Sequence, residues 1–298
     1  MDFSGVYPAL TTPYADDGSV SLLNLKDNIH RYNATGLAGY VVLGSTGESV
    51  LLTPSERDGI LATAIEAAAN GKKLIAGTGA ESTAETILRT KRAAELGYHG
   101  ALVKTPHYYK PAYKPEVLIG HYRRVADESP IPLLLYSVPQ FTGVALEATE
   151  VAVLAEHANI IGIKESSGHV QRAAEMIAGT PPAFQVLVGS AATVYPSLAI
   201  GARGAILALA CALPEKCVAL FELLRNGDHE KARELQAVLV RASKLIVSEL
   251  GIAGVKHAMD QRGYRGGLPR LPLVPLHVEQ KKRLNEFLAA LEPAAVRA

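Results

Sequence analysis

A lysine that ends an otherwise apolar run is the residue in this sequence best suited to covalent chemistry. The run Ile160-Ile161-Gly162-Ile163-Lys164 is typical of a β-strand, in which Lys164 shares its face with Gly162 and Ile160. If that face is the interior of a barrel, Gly162 leaves space beneath the lysine and its amine is partly desolvated. Because burial penalises an ammonium and only a neutral amine attacks a carbonyl, this position favours a Schiff-base lysine. The alternative is a lysine that caps the strand and extends to solvent.

Hydroxyl groups lie at the ends of two other strand-like runs. Leu133–Ser137 contains Tyr136, whose phenol could pass protons to and from an imine, although a structural tyrosine fits the spacing equally well. A second run leads into Gly44-Ser45-Thr46-Gly47-Glu48. The N–H groups and hydroxyls of this tight loop could converge on a carboxylate, but such turns also occur without a ligand.

A polar, aromatic loop follows a further run. It reads Thr105-Pro106-His107-Tyr108-Tyr109-Lys110-Pro111 and would lie at the same end of a barrel. The loop could be a lid, or an arm that reaches a neighbouring subunit. Exposed tyrosines are more typical of an interface than of catalysis.

The absence of several well-known motifs, together with the composition, excludes several classes of protein. The chain has no H-E-x-x-H pair, no Cys/His cluster with zinc spacing, no Walker loop and no Gly-x-Ser-x-Gly elbow, so we predict neither a metal nor a cofactor. Cys211 and Cys217 lie in an apolar run and are predicted to be core residues. A formal net charge of +1 offers no bulk attraction to nucleic acid or membranes. With no leader pattern and no apolar run of spanning length, we expect a soluble, cytoplasmic protein.

Eight short strand-like runs alternate with helical periodicity and would position these residues. The fold class predicted is α/β, a (β/α)8 TIM barrel over residues 1–224 with a C-terminal helical appendage over residues 225–298. Capping boxes at Thr53-Pro54-Ser55-Glu56 and Ser82-Thr83-Ala84-Glu85 mark two helix starts. Breaks are expected at Asn226-Gly227, at Gly251 and from Gly263 to Pro275. The predicted strands are Val6–Thr11, Tyr40–Leu43, Lys73–Ala76, Ala101–Lys104, Leu133–Ser137, Ile160–Lys164, Gln185–Val188 and Ala205–Leu207.

Taken together, the motifs resemble the dihydrodipicolinate synthase/N-acetylneuraminate lyase family of pyruvate-dependent class I aldolases. The resemblance covers essentially the whole chain and rests on Gly44–Glu48, Tyr136–Pro139 and Gly162–Lys164 in that order. It implies a Schiff base on Lys164 and proton transfer by Tyr136.

The same resemblance implies roles for the neighbouring residues. Ser45 and Thr46 would hold the pyruvate carboxylate, and Thr46 would link Tyr136 to Tyr108 of an adjacent subunit. Family members are commonly homotetramers built as dimers of dimers. The substrate pocket would also be lined by Gly189, Ile206 and Ser166.

The subfamily is read from fewer residues. Dihydrodipicolinate synthases usually carry an arginine two residues after the Val-Pro of the tyrosine motif, where this chain has Phe141. The segments Tyr136–Gly143, Glu81-Ser82-Thr83 and Gly254-Val255-Lys256 are more similar to 4-hydroxy-2-oxoglutarate aldolases. We therefore expect cleavage of a 4-hydroxy-2-oxo acid, with dihydrodipicolinate synthesis from pyruvate and aspartate semialdehyde as the alternative. A non-catalytic 2-oxo-acid binding protein is a third possibility.

Overall fold

Eight parallel strands form the framework of the structure, a computed structural model that describes residues 1–291. Hydrogen bonds join the strands in the order β1-β8-β7-β6-β5-β4-β3-β2. At the remaining seam, Ala9 and Val41 form a parallel bridge, so the sheet is a nearly closed barrel. The strands are β1 Gly5–Pro8, β2 Gly39–Val42, β3 Lys73–Gly77, β4 Gly100–Lys104, β5 Leu133–Ser137, β6 Ile160–Glu165, β7 Gln185–Val188 and β8 Gly204–Leu207.

Helices lie between the strands and after the last one, so the predicted (β/α)8 TIM barrel with C-terminal helices is confirmed. The Thr53 capping box is present, with Pro54 in the first helical turn; at Ser82 the side chain accepts from the Glu85 N–H. The helices are α1 Leu22–Asn33, α2 Pro54–Ala67, α3 Thr83–Glu95, α4 Pro115–Glu128, α5 Pro139–Thr142, α6 Ala148–Leu154, α7 Val170–Gly179, α8 Val194–Ala199, α9 Pro214–Arg225, α10 His229–Ala242, α11 Gly251–Gln261 and α12 Val278–Ala290.

Successive side chains of each strand point to opposite faces, so one set packs inside the barrel and the other packs under the helices. Leu102, Leu134 and Ile206 pack together with Phe3 and Tyr7 inside the barrel. Intervening residues such as Val103, Leu135 and Val186 pack under the helices instead. Because Lys104, Tyr136 and Lys164 have the same parity as the interior residues of their strands, their side chains project at the inner rim.

The C-terminal region contains one feature that the sequence pattern did not predict. After α10 the chain continues through a π-helix, Ser243–Glu249, and resumes as α11 at Gly251. Gly251 therefore begins a helix, whereas the predicted breaks at Asn226-Gly227 and between α11 and α12 are present. The division at residue 224 stays a prediction, and residues 292–298 of the predicted appendage lie outside the described residues.

Candidate active site

A cavity of about 450 Å³ opens at the carboxyl ends of the strands. Strand ends line it together with the loops that follow β2, β5, β6, β7 and β8. Six of the eight residues predicted to form the site line it: Ser45, Thr46, Tyr136, Lys164, Ser166 and Gly189.

Strand register brings the lysine and the tyrosine together. Lys104, Tyr136 and Lys164 are register partners on β4, β5 and β6, so they occupy one row across the sheet. Lys164 is 4% exposed, and its amine lies 4.3 Å from the centre of the Tyr136 ring. Among residues 1–291, no carboxylate lies within ion-pair distance of this amine. The amine therefore faces the cavity beside a phenol and without a counter-ion, as a nucleophile requires.

The loop after β2 places hydroxyls opposite this pair. The Ser45 hydroxyl lies 3.3 Å from the Tyr136 hydroxyl, close enough for weak hydrogen bonding. Thr46 lines the same cavity, but among the described residues it makes no hydrogen bond to Tyr136. A Cβ at Gly47 would lie 2.9 Å from the Leu10 carbonyl oxygen, which explains the glycine at this tight turn. Ser45, and not Thr46, therefore supplies the hydroxyl in contact with the Tyr136 phenol.

Glu48 ends this loop and forms a buried ion pair that the sequence analysis missed. Its Oε1 lies 2.6 Å from Lys256 Nζ, and both side chains are fully buried. The Glu48 backbone is left-handed, with φ of 55°, and its Oε2 accepts from the Arg270 backbone N–H at 2.7 Å. Lys256 also donates to the Leu268 carbonyl at 2.8 Å. The loop bearing Ser45 and Thr46 is thereby fixed to α11 and to the segment beyond it.

Ser166 and Gly189 fit against each other on the far side of Lys164. The Ser166 hydroxyl is buried and has no hydrogen-bond partner within the described part of the chain. A Cβ built at Gly189 would lie 1.7 Å from that hydroxyl oxygen, so only glycine leaves room for it. An unpartnered buried hydroxyl at a cavity wall is available to a ligand.

Two predicted site residues do not line the cavity. Ile206 is fully buried in the barrel interior. Tyr108 is 75% exposed and packs edge-to-face on Tyr109, with ring centres 5.0 Å apart. Glu81 accepts from the backbone N–H groups of His107 and Tyr108 at 2.9 Å each, which fixes the loop that presents Tyr108 away from its own chain's cavity.

Lys104 lies beside this loop. Its amine contacts Glu81 at 3.2 Å, while burial lowers the pKa of Lys104. This lysine, like Glu81, was not predicted as a site residue. Its position at the end of a predicted strand, as for Lys164, was the available signal.

Two further features of residues 1–291 concern metal binding and membrane spans. That part of the chain holds no group of three or more His, Cys, Asp or Glu side chains placed to bind a metal ion. None of its helices is long and apolar enough to cross a membrane.

The fold and the site indicate a class of protein, and comparisons with known proteins identify its family. A nearly closed (β/α)8 barrel with a buried lysine and a tyrosine at its strand ends defines a lyase of the class I aldolase type, in which a lysine forms a Schiff base. The profile of the dihydrodipicolinate synthetase family matches residues 2–291. The chain belongs to that family, whose members use pyruvate as a substrate.

Individual relatives cover nearly the whole chain. It is 40% identical to a 4-hydroxy-tetrahydrodipicolinate synthase of Exiguobacterium sp., over 97% of both chains. It is 37% identical to that of Natronomonas pharaonis, over 97% of this chain and 98% of the relative. The dihydrodipicolinate synthase of Aquifex aeolicus superposes with a TM-score of 0.92 at 33% identity, over 97% and 98% of the two chains. A family member from E. coli K12, solved in complex with pyruvate, gives 0.91 at 29% identity over the same shares.

These relatives correct the expected subfamily. The expectation of a 4-hydroxy-2-oxoglutarate aldolase is wrong, because relatives 34–40% identical over nearly the full chain are 4-hydroxy-tetrahydrodipicolinate synthases. The motif around Tyr136, which suggested the aldolase, was assigned to steps that both reactions share up to the enamine. Phe141, which also guided the expectation, is 66% exposed at the rim of the cavity.

Proposed function

We propose that this protein is a 4-hydroxy-tetrahydrodipicolinate synthase, which condenses pyruvate with aspartate semialdehyde. The observation that carries the proposal is the buried Lys164 amine, which faces the cavity 4.3 Å from the Tyr136 ring and without a carboxylate partner among the described residues. The names of the relatives support the choice of second substrate.

Lys164 begins the reaction by attacking the C2 carbonyl of pyruvate. Tyr136 protonates the departing hydroxyl of the carbinolamine, and water leaves to give the imine. Loss of a proton from C3 gives an enamine, which attacks the aldehyde carbon of the semialdehyde. The amino group of the bound adduct then attacks C2 and displaces Lys164, closing the ring and freeing the enzyme.

Ser45, Thr46 and Ser166 position pyruvate in this scheme. Their hydroxyls and the backbone of the β2 loop hold the carboxylate so that C2 meets the amine. Ser45 also passes protons from Tyr136 toward solvent, since its hydroxyl lies 3.3 Å from the phenol.

The functional protein in this proposal is a homotetramer, a dimer of dimers in the cytoplasm. The exposed Tyr108 of one subunit would complete the proton path at the Ser45 of its neighbour. The support is that Tyr108 is 75% exposed on a loop fixed by Glu81. Sedimentation velocity at micromolar concentration, with Tyr108→Ala as the interface variant, tests the assembly.

A paired assay tests the reaction. Purified protein is given pyruvate with sodium borohydride, and the peptide containing Lys164 is examined by mass spectrometry for the reduced adduct. Separately, pyruvate consumption is followed with and without aspartate semialdehyde. We expect adduct formation and semialdehyde-dependent consumption. Pyruvate binding without an adduct would instead indicate the non-catalytic binding protein.

A further inference from the structure

The outer wall of the cavity comes from elements to which the scheme above gives no role. Ser243, Val247 and Ser248 of the π-helix line it, followed by Ile252 and Val255 of α11. Lys164 lines the same cavity from the end of a strand. A second substrate that reacts with an enamine on Lys164 therefore occupies a cavity that these residues also line.

The π-helix accounts for two serines on one wall. In an α-helix the neighbours of residue 243 on the same face lie three and four positions away. The wider π turn, seen in the Leu250 N–H bond to the Leu245 carbonyl at 3.2 Å, adds a residue to the turn. Ser248 thus reaches the cavity together with Ser243 and Val247. Such π segments are frequent at functional sites.

Both serine hydroxyls are available to a ligand. Ser243 is only 4% exposed, whereas Ser248 is an exposed residue that lines the same cavity. Within residues 1–291 neither hydroxyl has a hydrogen-bond partner in the protein. A hydroxyl can donate one hydrogen bond and accept others, so it can serve either an ammonium or a carboxylate.

The wall also carries no charge. Of the described residues that line the cavity, Lys164 is the single one with an ionisable acid or base side chain other than the Tyr136 phenol. Gln140 adds an amide whose Nε2 already donates to the Ser166 carbonyl at 2.9 Å. Any polar group of a ligand in the outer half must therefore be met by neutral hydrogen-bonding groups.

We propose that Ser243 and Ser248 form the subsite for the second substrate, an amino-acid aldehyde whose ammonium and carboxylate are held by these neutral hydroxyls. The inference rests on the proposed function and names residues that determine its specificity. Because no counter-ion takes part, affinity for this substrate should depend little on salt, unlike recognition through an exposed ion pair.

Substitution of the two serines separates this subsite from the pyruvate site. At saturating pyruvate, Ser243→Ala and Ser248→Ala are each expected to lower kcat/KM for aspartate semialdehyde about tenfold, the loss typical of one neutral hydrogen bond. The KM for pyruvate and the borohydride adduct on Lys164 stay at wild-type levels. Ser243→Thr keeps a hydroxyl and restores most of the activity. Lys244→Ala, at an exposed position of the same π-helix that does not line the cavity, is the control.

The outcomes distinguish the two proposals. If wild-type protein traps pyruvate and consumes the semialdehyde but both alanine variants match it, the subsite is overturned and the proposed function stands. Equal losses toward pyruvate and semialdehyde would indicate general damage to the fold and also overturn the subsite. Wild-type protein that traps pyruvate without consuming the semialdehyde overturns both. Absence of an adduct overturns the proposed function at its first step, and the subsite with it.

Discussion

Two buried lysines in this protein have almost the same aromatic surroundings and different partners. The Lys164 amine lies 4.3 Å from the Tyr136 ring centre, and the Lys256 amine lies 4.4 Å from that of Tyr14. Lys256 is paired with Glu48 at 2.6 Å, whereas Lys164 faces the cavity without a carboxylate partner among residues 1–291. Burial beside a tyrosine therefore does not by itself define a reactive lysine; the missing counter-ion and the adjoining cavity do.

Replacing the two lysines by methionine should separate these roles most strongly. Lys164→Met is expected to lower turnover by about 10,000-fold or more, because no Schiff base can form. Its free energy of unfolding should not fall, since an unpaired buried amine is removed. Steady-state assays and urea denaturation measure the two effects. Residual turnover above one hundredth of wild type would contradict the assignment.

Lys256→Met should show the opposite pattern. It leaves Glu48 buried without its cation, which is expected to cost about 3–5 kcal/mol of unfolding free energy. The double variant Glu48→Gln/Lys256→Met removes both charges and should recover much of the loss. Exposed Lys26→Met, whose partner Glu66 is 69% exposed, is the control and should change stability little. A single variant as stable as wild type would mean that the ion pair does not anchor the loop.

Replacing the tyrosine beside each lysine with phenylalanine removes a single hydroxyl and tests the comparison more finely. Tyr136→Phe keeps the ring beneath Lys164 but removes the hydroxyl near Ser45, so the rate should fall about 100-fold or more. Tyr14→Phe removes a buried hydroxyl that has no hydrogen-bond partner in the described structure, and should leave rate and stability close to wild type. Slower formation of the borohydride adduct in the Tyr136 variant would place its effect in imine formation. Equal rates for both variants would rule out a proton-transfer role.

The smallest expected effect is on stability in acid, through the ion pair between Glu56 and Arg270. The Arg270 guanidinium, 2.6 Å from Glu56, is the main cause that holds the pKa of Glu56 at about 2, below its ordinary value of 4.5. The depressed pKa contributes stability that is present above about pH 4.5 and lost as the pH falls toward 2. Glu56→Gln should therefore flatten the dependence of unfolding free energy on pH in this window. An unchanged slope, measured by denaturation at a series of pH values, would contradict the link.

The sequence predicted the elements that local pattern controls. β5 and β7 have the predicted bounds, and the lysine and tyrosine at strand ends do line one cavity. Features that depend on distant contacts were missed. Nothing local to Glu48 indicates that its partner is Lys256. The hydroxyl in contact with Tyr136 belongs to Ser45, because the geometry of the tight turn sets which side chain of the loop faces the phenol. The π-helix was also missed, because a π turn gives neither the hydrophobic repeat of an α-helix nor the alternation of a strand.

Lys104, Tyr136 and Lys164 occupy equivalent positions on three successive strands, held in register by backbone hydrogen bonds. Neighbouring strands are about 4.8 Å apart whatever side chains they carry. A substitution at position 104 therefore introduces a new functional group one strand away from the phenol while leaving the backbone in place. Changes of reaction could arise in this barrel one side chain at a time, without a new fold having to be invented for each.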